Sequence, residues 1–279
     1  MKRTSFKKWA IIAMAVLMAF ALAGCGSGQS SGDGEEKKPD IEILDSGVSA
    51  NENGDYTYAV VFRNNTEKAI KIAYFDVTAY DGDGKKLKAQ DDWYTMVRVE
   101  NVRPGATAAC TVMRKQEWVE DYGGIMPFSE VPADVQFKRS ISTSFRKADS
   151  KDISLRVVDF ELVDGEHIPW VGTGEENGPV YDGDDDIFFI ATVANDGEED
   201  FFYDPTADEC TIYACGHVVY KDETGKVIGG ADLFMGGLNA QDPRVEIKAG
   251  GEAEVLFEGI HCYWPSESQE LYVEAVDYE

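Results

Sequence analysis

Short runs in which apolar and polar residues alternate recur along most of the chain, and turn residues separate them. Residues 56–62 alternate in this way and stop at Asn64, Asn65 and Thr66, and a longer run covers residues 70–80. A period of two places successive side chains on opposite faces of an extended strand. The pattern therefore predicts half-buried β-strands, and amphipathic helices are not indicated after the N-terminus.

Two stretches of the sequence share the same order of predicted strands and turns. The first unit has predicted strands at residues 41–48, 56–62, 70–80, 94–99, 106–113 and 135–145. The second has predicted strands at residues 153–163, 187–194, 210–221, 253–257 and 271–276. A turn rich in Asp and Gly follows the long strand of each unit, and Gly105 and Gly250 each precede a late strand. Such shared order indicates one fold repeated.

About seven short strands per unit, separated by turn residues, are typical of a β-sandwich of immunoglobulin-like shape. We therefore expect an all-β protein with two tandem immunoglobulin-like β-sandwich domains, at residues 40–147 and 151–279. The polar segment 146–151 is the predicted joint. Because this joint is short, we expect the two domains to touch.

The N-terminus follows a different pattern. Lys2, Arg3, Lys7 and Lys8 precede an apolar run over residues 9–24, which is the layout of a secretory signal. The run is short for a permanent span, which needs about 20 apolar residues. The Gly, Ser and charged residues that follow offer nothing to pack. We therefore expect a signal helix at residues 1–24 and a flexible, disordered tether at residues 25–39.

The apolar run ends in Leu22, Ala23, Gly24 and Cys25, which resembles the lipobox of bacterial lipoproteins. The resemblance implies that the leader is cleaved before Cys25 and that the Cys25 sulfur carries diacylglycerol, with palmitate-like acyl chains. Two or three such chains anchor a protein durably. We therefore expect a lipid-anchored protein on the extracytoplasmic face of the cell membrane. An ordinary signal peptide that contains a cysteine is the alternative.

A second resemblance lies in residues 75–85, together with Pro104 and Gly105 before a late strand. These residues resemble the FxLYD-type and related immunoglobulin-like domains that occur on bacterial lipoproteins. The resemblance covers residues 55–113 well and residues 187–258 more loosely. It implies a binding or structural module, and it carries no catalytic residue to transfer.

The charge balance narrows the range of partners. The chain has 52 acidic and 26 basic side chains, a net charge of −26, and loss of the four basic residues of the leader would change this to −30. Such a field excludes nucleic acid as a partner, because phosphate binding requires basic surfaces. It also repels anionic lipids and wall polymers unless divalent cations bridge them. Solubility is the simpler purpose of the charge.

The four cysteines other than Cys25, together with the histidines, are the main candidates for metal binding or disulfide formation. Cys215 and His217 are two positions apart and share a face of the predicted strand, and His261 and Cys262 follow a late strand. The four residues permit three arrangements: a zinc site, a disulfide such as Cys215 with Cys262, or free structural thiols. Cys110 lies on the inward face of its strand and is expected in the core.

An acidic cluster offers a calcium site. Asp182, Asp184, Asp185 and Asp186 lie close together, and calcium binds several carboxylate oxygens on one loop. The spacing differs from that of an EF-hand, so a solvated loop is the alternative. Asp81 and Asp83 are explained by a hairpin turn. We predict no obligatory cofactor.

Nothing in the sequence predicts catalysis. It has no glycine-rich phosphate loop, nucleophile elbow or His-Glu-x-x-His motif. The expected function is therefore non-catalytic binding or structural support at the envelope, with an envelope protein or glycan as partner. Aromatic residues in predicted loops suit sugar or peptide stacking. An envelope hydrolase that uses loop carboxylates, and an accessory subunit of a transport or secretion system, are the alternatives.

Overall fold

Alternating apolar residues build antiparallel strands in the part of the chain that the structure describes. The computed structural model describes residues 39–90, 95–116, 126–149, 152–163, 186–207, 211–239, 242–260 and 266–278. Within these ranges the strands are β1 (Ile41–Ala50), β2 (Tyr56–Asn64), β3 (Ala69–Tyr80), β4 (Met96–Val102), β5 (Thr107–Arg114), β6 (Asp134–Arg139), β7 (Ser144–Arg146), β8 (Leu155–Val163), β9 (Asp186–Asn195), β10 (Phe201–Tyr203), β11 (Ile212–Lys221), β12 (Val227–Gly236), β13 (Val245–Ile247), β14 (Glu252–Ile260) and β15 (Ser268–Asp277). In the same ranges, no helix has the length and apolar character needed to cross a membrane.

The first half, residues 39–149, is a sandwich of two sheets. One sheet has the order β1-β2-β5, and the other has the order β4-β3-β6 with β7 also paired to β3. Tyr58 and Phe62 of β2 point into the space between the sheets with Phe75 of β3, and the rings of Phe62 and Phe75 are 4.8 Å apart. Burial of these large rings is the main source of stability in this core.

The second half, residues 152–278, repeats this plan with different sheet sizes. Six strands form a sheet in the order β15-β11-β12-β14-β9-β8, and β10 and β13 form a separate pair. Phe189 and Phe257 of the large sheet pack with Phe201 and Ile247 of the small one. All strand pairs in both halves are antiparallel. The predicted all-β fold with two sandwiches is therefore confirmed.

The two halves pack face to face. Ala59, Val61 and Ala109, on the outer side of the three-stranded sheet, form one apolar cluster with Val219 and Val227 of the six-stranded sheet. As a result, β2 and β11 are buried on both faces over most of their length. The sheets described do not mix strands from the two halves, but residues Lys38–Glu279 form one compact unit.

Glycine and polar contacts bring the facing sheets close together. A Cβ added to Gly47 would lie 1.8 Å from the carbonyl oxygen of Val227, so the backbones of β1 and β12 are in direct contact. The Val227 N–H donates to the Asp45 carboxylate at 2.9 Å. The Gly230 N–H donates to the Thr57 hydroxyl, also at 2.9 Å. These bonds satisfy polar groups that the packing removes from water.

Two buried asparagines, Asn64 in the first half and Asn195 in the second, make equivalent hydrogen bonds. Gly105 and Gly250, with φ of 74° and 67°, donate their N–H groups to the carbonyl oxygens of Asn64 and Asn195 at 2.8 and 2.9 Å. Both asparagine side chains also donate to nearby carbonyls. The acceptors are Lys68, Val102 and Arg103 for Asn64, and Glu199 and Ile247 for Asn195. The same local structure therefore occurs once in each half.

Some predicted strands differ from those observed. The closing strand predicted at residues 135–145 is two strands, β6 and β7, because the chain turns at residues 140–143. The strand expected at residues 94–99 is observed at Met96–Val102. Three observed strands, β10, β12 and β13, were absent from the prediction. The signal helix predicted at residues 1–24 and the tether predicted at residues 25–39 lie outside the described residues, except for Pro39.

Candidate functional site

Three neighbouring strands of the six-stranded sheet place a thiol, an imidazole and two carboxylates together. Cys215 and His217 alternate on β11 and therefore lie on one face. Cys215 is the register partner of Glu274 on β15, and His217 is the register partner of Asp232 on β12. We call Cys215, His217, Asp232 and Glu274 the His217 cluster.

Both ring nitrogens of His217 face carboxylates. Nδ1 lies 2.8 Å from Oδ1 of Asp232, and Nε2 lies 3.0 Å from Oε2 of Glu274. The sulfur of Cys215 lies 3.8 Å from Nε2 and 3.9 Å from the same Glu274 oxygen. The imidazole is therefore held between two acceptors, with the thiol beside one of them.

The first half closes the His217 cluster from the other side. The Thr111 hydroxyl of β5 lies 3.2 Å from Nδ1 of His217, and it also donates to the Asp232 carboxylate. The Glu100 backbone N–H of β4 donates to Oε1 of Glu274 at 2.8 Å. Each carboxylate thus has a partner from the first half as well as His217. The cluster is part of the joint between the halves.

The buried environment sets the protonation states. Burial alone lowers the pKa of His217, but the nearby Cys215 sulfur and the hydrogen bonds to Asp232 and Glu274 raise it well above its ordinary value. Burial also raises the pKa of the Cys215 thiol, against the opposite effect of His217. The carboxylates therefore favour the protonated imidazole, whereas burial favours the protonated thiol.

Exposure differs between the two carboxylates. The side chains of His217 and Glu274 are 7% and 9% exposed, whereas that of Asp232 is 59% exposed. The Glu274 contact is consequently screened less by water than the Asp232 contact. Tyr213 lies on the same face of β11, and burial together with its contact with Cys215 raises the pKa of its hydroxyl. Tyr213 is 45% exposed.

A crevice of about 380 Å³ lies between the halves next to the cluster. His217 and Glu274 line one wall, and residues of β4, β5 and β8 line the others. The volume is within the range of small-molecule sites. His217 and Glu274 therefore border a space large enough for an ion or a small polar molecule.

The structure describes only some of the site residues that were predicted from the sequence. It brings Cys215 and His217 together, and Cys110 and Cys215 are both buried free thiols. A disulfide between Cys215 and Cys262 stays a prediction, because Cys262 lies outside the described residues. Asp186 is the first residue of β9. The other nominated positions lie outside the described residues. They are Cys25, Asp182, Asp184, Asp185, His261 and Cys262.

Sequence reasoning missed three members of the site. Thr111, Asp232 and Glu274 lie 106, 15 and 57 residues from His217 in the sequence. Sheet pairing brings Asp232 and Glu274 to the site, and packing between the halves brings Thr111. One weak signal was present, because Glu274 lies between apolar neighbours on the last predicted strand. A carboxylate in that position usually has a buried partner.

Comparisons with known proteins give little further information. No protein-family model matches this chain. No curated protein matches it either. Among solved structures, it is similar to Bacteroides uniformis beta-glucuronidase 2 covalently bound to cyclophellitol-6-carboxylate aziridine, with 14% identity, a TM-score of 0.17, and coverage of 81% of this chain and 24% of that one. A structure of Bacteroides uniformis beta-glucuronidase gives 13% identity, a TM-score of 0.14, and coverage of 74% and 21%.

The chain therefore spans about a quarter of the length of those solved structures. At such TM-scores the likeness says nothing about the activity of this chain.

Proposed function

We propose that this chain is a lipid-anchored protein of the cell envelope with a non-catalytic binding or structural role. The lipobox-like residues 22–25 and the polar segment 26–38 support an anchor at Cys25 followed by a tether. The net charge of −26 supports a protein or glycan partner rather than nucleic acid. The protein would act on the extracytoplasmic face of the cell membrane.

The observation that carries the non-catalytic part is the bonding of His217. A cysteine nucleophile needs a nearby base and a thiol with a lowered pKa. Here Nε2 of His217 is 3.0 Å from Glu274 and 3.8 Å from Cys215, so the carboxylate is its closer partner. Burial raises the pKa of the Cys215 thiol. The cluster is better suited to joining the halves than to attacking a substrate.

The contact between the halves supports a binding role. Because the sheets touch at Gly47 and at Gly230, the two sandwiches present one continuous surface. On this surface Tyr213 and Phe234 are 45% and 64% exposed, and they project from adjacent strands of the six-stranded sheet. Exposed aromatic side chains on a rigid sheet are suitable contacts for a protein or a glycan.

The experiment is cross-linking in living cells that produce the tagged, natively exported chain. We expect a reproducible envelope partner with the wild type, and at least a fivefold loss of it with the double substitution Tyr213→Ser and Phe234→Ser. The matched control is Phe202→Ser, another half-exposed aromatic position, on β10. Failure to recover any partner would contradict the binding role. A hydrolytic activity of the purified chain on envelope glycans would contradict the non-catalytic part.

A further inference from the structure

Three ligand atoms of the His217 cluster have the spacing of a metal site. Cys215 Sγ, His217 Nε2 and Glu274 Oε2 all lie within 4.8 Å of one another. The individual distances are 3.8 Å from sulfur to nitrogen, 3.9 Å from sulfur to oxygen and 3.0 Å from nitrogen to oxygen. A tetrahedral zinc ion with ordinary bond lengths holds such atoms about 3.4 to 3.6 Å apart. Each distance therefore needs to change by only a few tenths of an ångström.

The same three distances fix where an ion would lie. The circle that passes through the three ligand atoms has a radius of about 2.1 Å. An ion at or just above the centre of this circle would therefore lie about 2.1 to 2.3 Å from each of the three atoms. These values are the usual lengths of zinc bonds to nitrogen, oxygen and sulfur. No strand has to move for the three side chains to share one ion.

The hydrogen-bond partners of His217 and Glu274 are of the kind that orient ligands in metal sites. A metal-bound histidine usually donates its other ring N–H to a carboxylate, and a bound carboxylate usually accepts a further hydrogen bond. In this protein Nδ1 of His217 faces Asp232 at 2.8 Å, and Oε1 of Glu274 accepts the Glu100 N–H at 2.8 Å. Both supporting contacts exist without any rearrangement.

The chemistry of the three ligands selects the ion. A thiolate, an imidazole and a carboxylate suit zinc, whereas calcium and magnesium prefer oxygen ligands alone. Three protein ligands leave one coordination position for water or for a small ligand. His217 and Glu274 border the crevice of about 380 Å³, which is large enough for such a ligand.

We propose that Cys215, His217 and Glu274 bind one zinc ion at the joint between the two sandwiches. Thr111 and Glu100 of the first half contact the ligands His217 and Glu274, so the ion would also stabilise the contact between the halves. This inference goes beyond the envelope role and does not depend on it. Either proposal can fail alone, because zinc binding is measured without a partner and partner recovery is measured without added metal.

The test is zinc binding by the full chain carrying Cys25→Ser, purified in detergent and stripped of metal with a chelator. The Cys25 substitution removes a thiol that could bind zinc by itself. Titration calorimetry and metal analysis are expected to give one zinc ion per chain. Cobalt substituted for zinc is expected to give the ultraviolet charge-transfer band of a thiolate–cobalt bond.

Matched variants assign the ligands. Cys215→Ser and Glu274→Gln are expected to weaken zinc binding by about a hundredfold or more, and Asp232→Asn by about 10- to 100-fold, as is usual for groups that orient a ligand. Cys110→Ser and Glu270→Gln are the controls, because Cys110 is also a buried thiol and Glu270 lies on the same strand as Glu274. These controls are expected to change the affinity less than threefold.

Three outcomes would overturn the proposal. They are the absence of stoichiometric zinc in the wild type, equal affinity in Cys215→Ser and Cys110→Ser, and a cobalt spectrum without the thiolate band. The cobalt spectrum of the wild type decides the question even when a variant does not fold. In those cases the His217 cluster is a set of ion pairs within the second sandwich that the first sandwich covers, and no more.

Discussion

Cys215 and Glu274 are directly opposed on β11 and β15, and their Sγ and Oε2 atoms lie 3.9 Å apart although 59 residues separate them in the sequence. His217, two residues further along β11, shares the same glutamate oxygen. The alignment of two strands therefore creates most of the site, and the first half covers it through Thr111. The candidate site therefore lies at the contact between the two sandwiches.

Thr111→Val tests whether this joint contributes to stability. Thr111 is 5% exposed, and its hydroxyl contacts His217 and Asp232 across the joint. Loss of a hydrogen bond to a charged group costs about 1.5 to 3 kcal/mol, and valine keeps the volume. We expect a loss of about 2 kcal/mol in the free energy of unfolding, measured by urea denaturation.

Thr107→Val is the control for this substitution, because Thr107 lies on the same strand and is half-buried. Among the described residues its hydroxyl has one contact, a long one of 3.4 Å from Arg63. We expect a change below about 0.5 kcal/mol there. Equal effects at both positions would mean that the Thr111 hydroxyl adds nothing across the joint.

Gly47→Ala tests the direct contact between the halves. The added methyl group would lie 1.8 Å from the Val227 carbonyl oxygen, so β1 and β12 must separate. Overpacking of this kind costs about 1 to 3 kcal/mol or more. For a chain of this size we expect the melting temperature to fall by about 4 to 10 °C in a calorimetric scan.

Gly236→Ala is the matched control on β12, because an added Cβ there meets nothing within 4 Å and the φ angle is ordinary. Its melting temperature is expected to stay within about 2 °C of the wild type. A Gly47→Ala variant that melts with the control would contradict the close packing of the two sandwiches.

Asn64→Ala and Asn195→Ala test the repeat. Asn64 and Asn195 are buried, with 0% and 2% exposure. The side-chain amide of each donates hydrogen bonds to backbone carbonyl groups of the neighbouring turn and strand. Removal leaves buried carbonyls without a donor, at a cost of about 1 to 3 kcal/mol. We expect both substitutions to destabilise the chain by similar amounts in urea, within about 1 kcal/mol of each other. The exposed Asn53→Ala should be neutral, and a neutral result at Asn195 would show that the second turn is built differently.

Local pattern was sufficient to predict most of the fold. The alternation in β2, β3 and β11 and the Asp-Gly turns after β3 and β11 are short-range signals, and the structure places Asp81 and Asp222 as acceptors in those turns. The signal failed at β12, because Gly229 and Gly230 interrupt its apolar pattern. A side chain at Gly229 would meet Thr57 of the other half, and one at Gly230 would meet Thr111 of the other half as well as the Val218 carbonyl oxygen of its own. A contact between halves leaves no local signature.

The candidate site was predictable only in part, for the same reason. Cys215 and His217 share a face because a strand has a period of two, which the sequence reveals. Glu274 and Asp232 join them through the strand order β15-β11-β12, which is decided by long-range pairing. The sequence instead suggested His261 and Cys262, which lie outside the described residues.

Cys25→Ala tests where the protein is held. Without a sulfur at this position no lipid can be attached, so we expect the chain to leave the detergent phase and lose labelling by an alkyne analogue of palmitate. Cys110→Ala is the control, because its buried thiol belongs to the core of the first half. An unchanged distribution of the Cys25→Ala chain would contradict a lipid anchor.

The envelope role depends on the chemical state of residue 25 in the cell, and mass spectrometry of the natively produced protein measures that state directly. The account predicts a chain that starts at Cys25 and carries diacylglycerol on its sulfur. An intact leader, or an unmodified thiol at position 25, would contradict it.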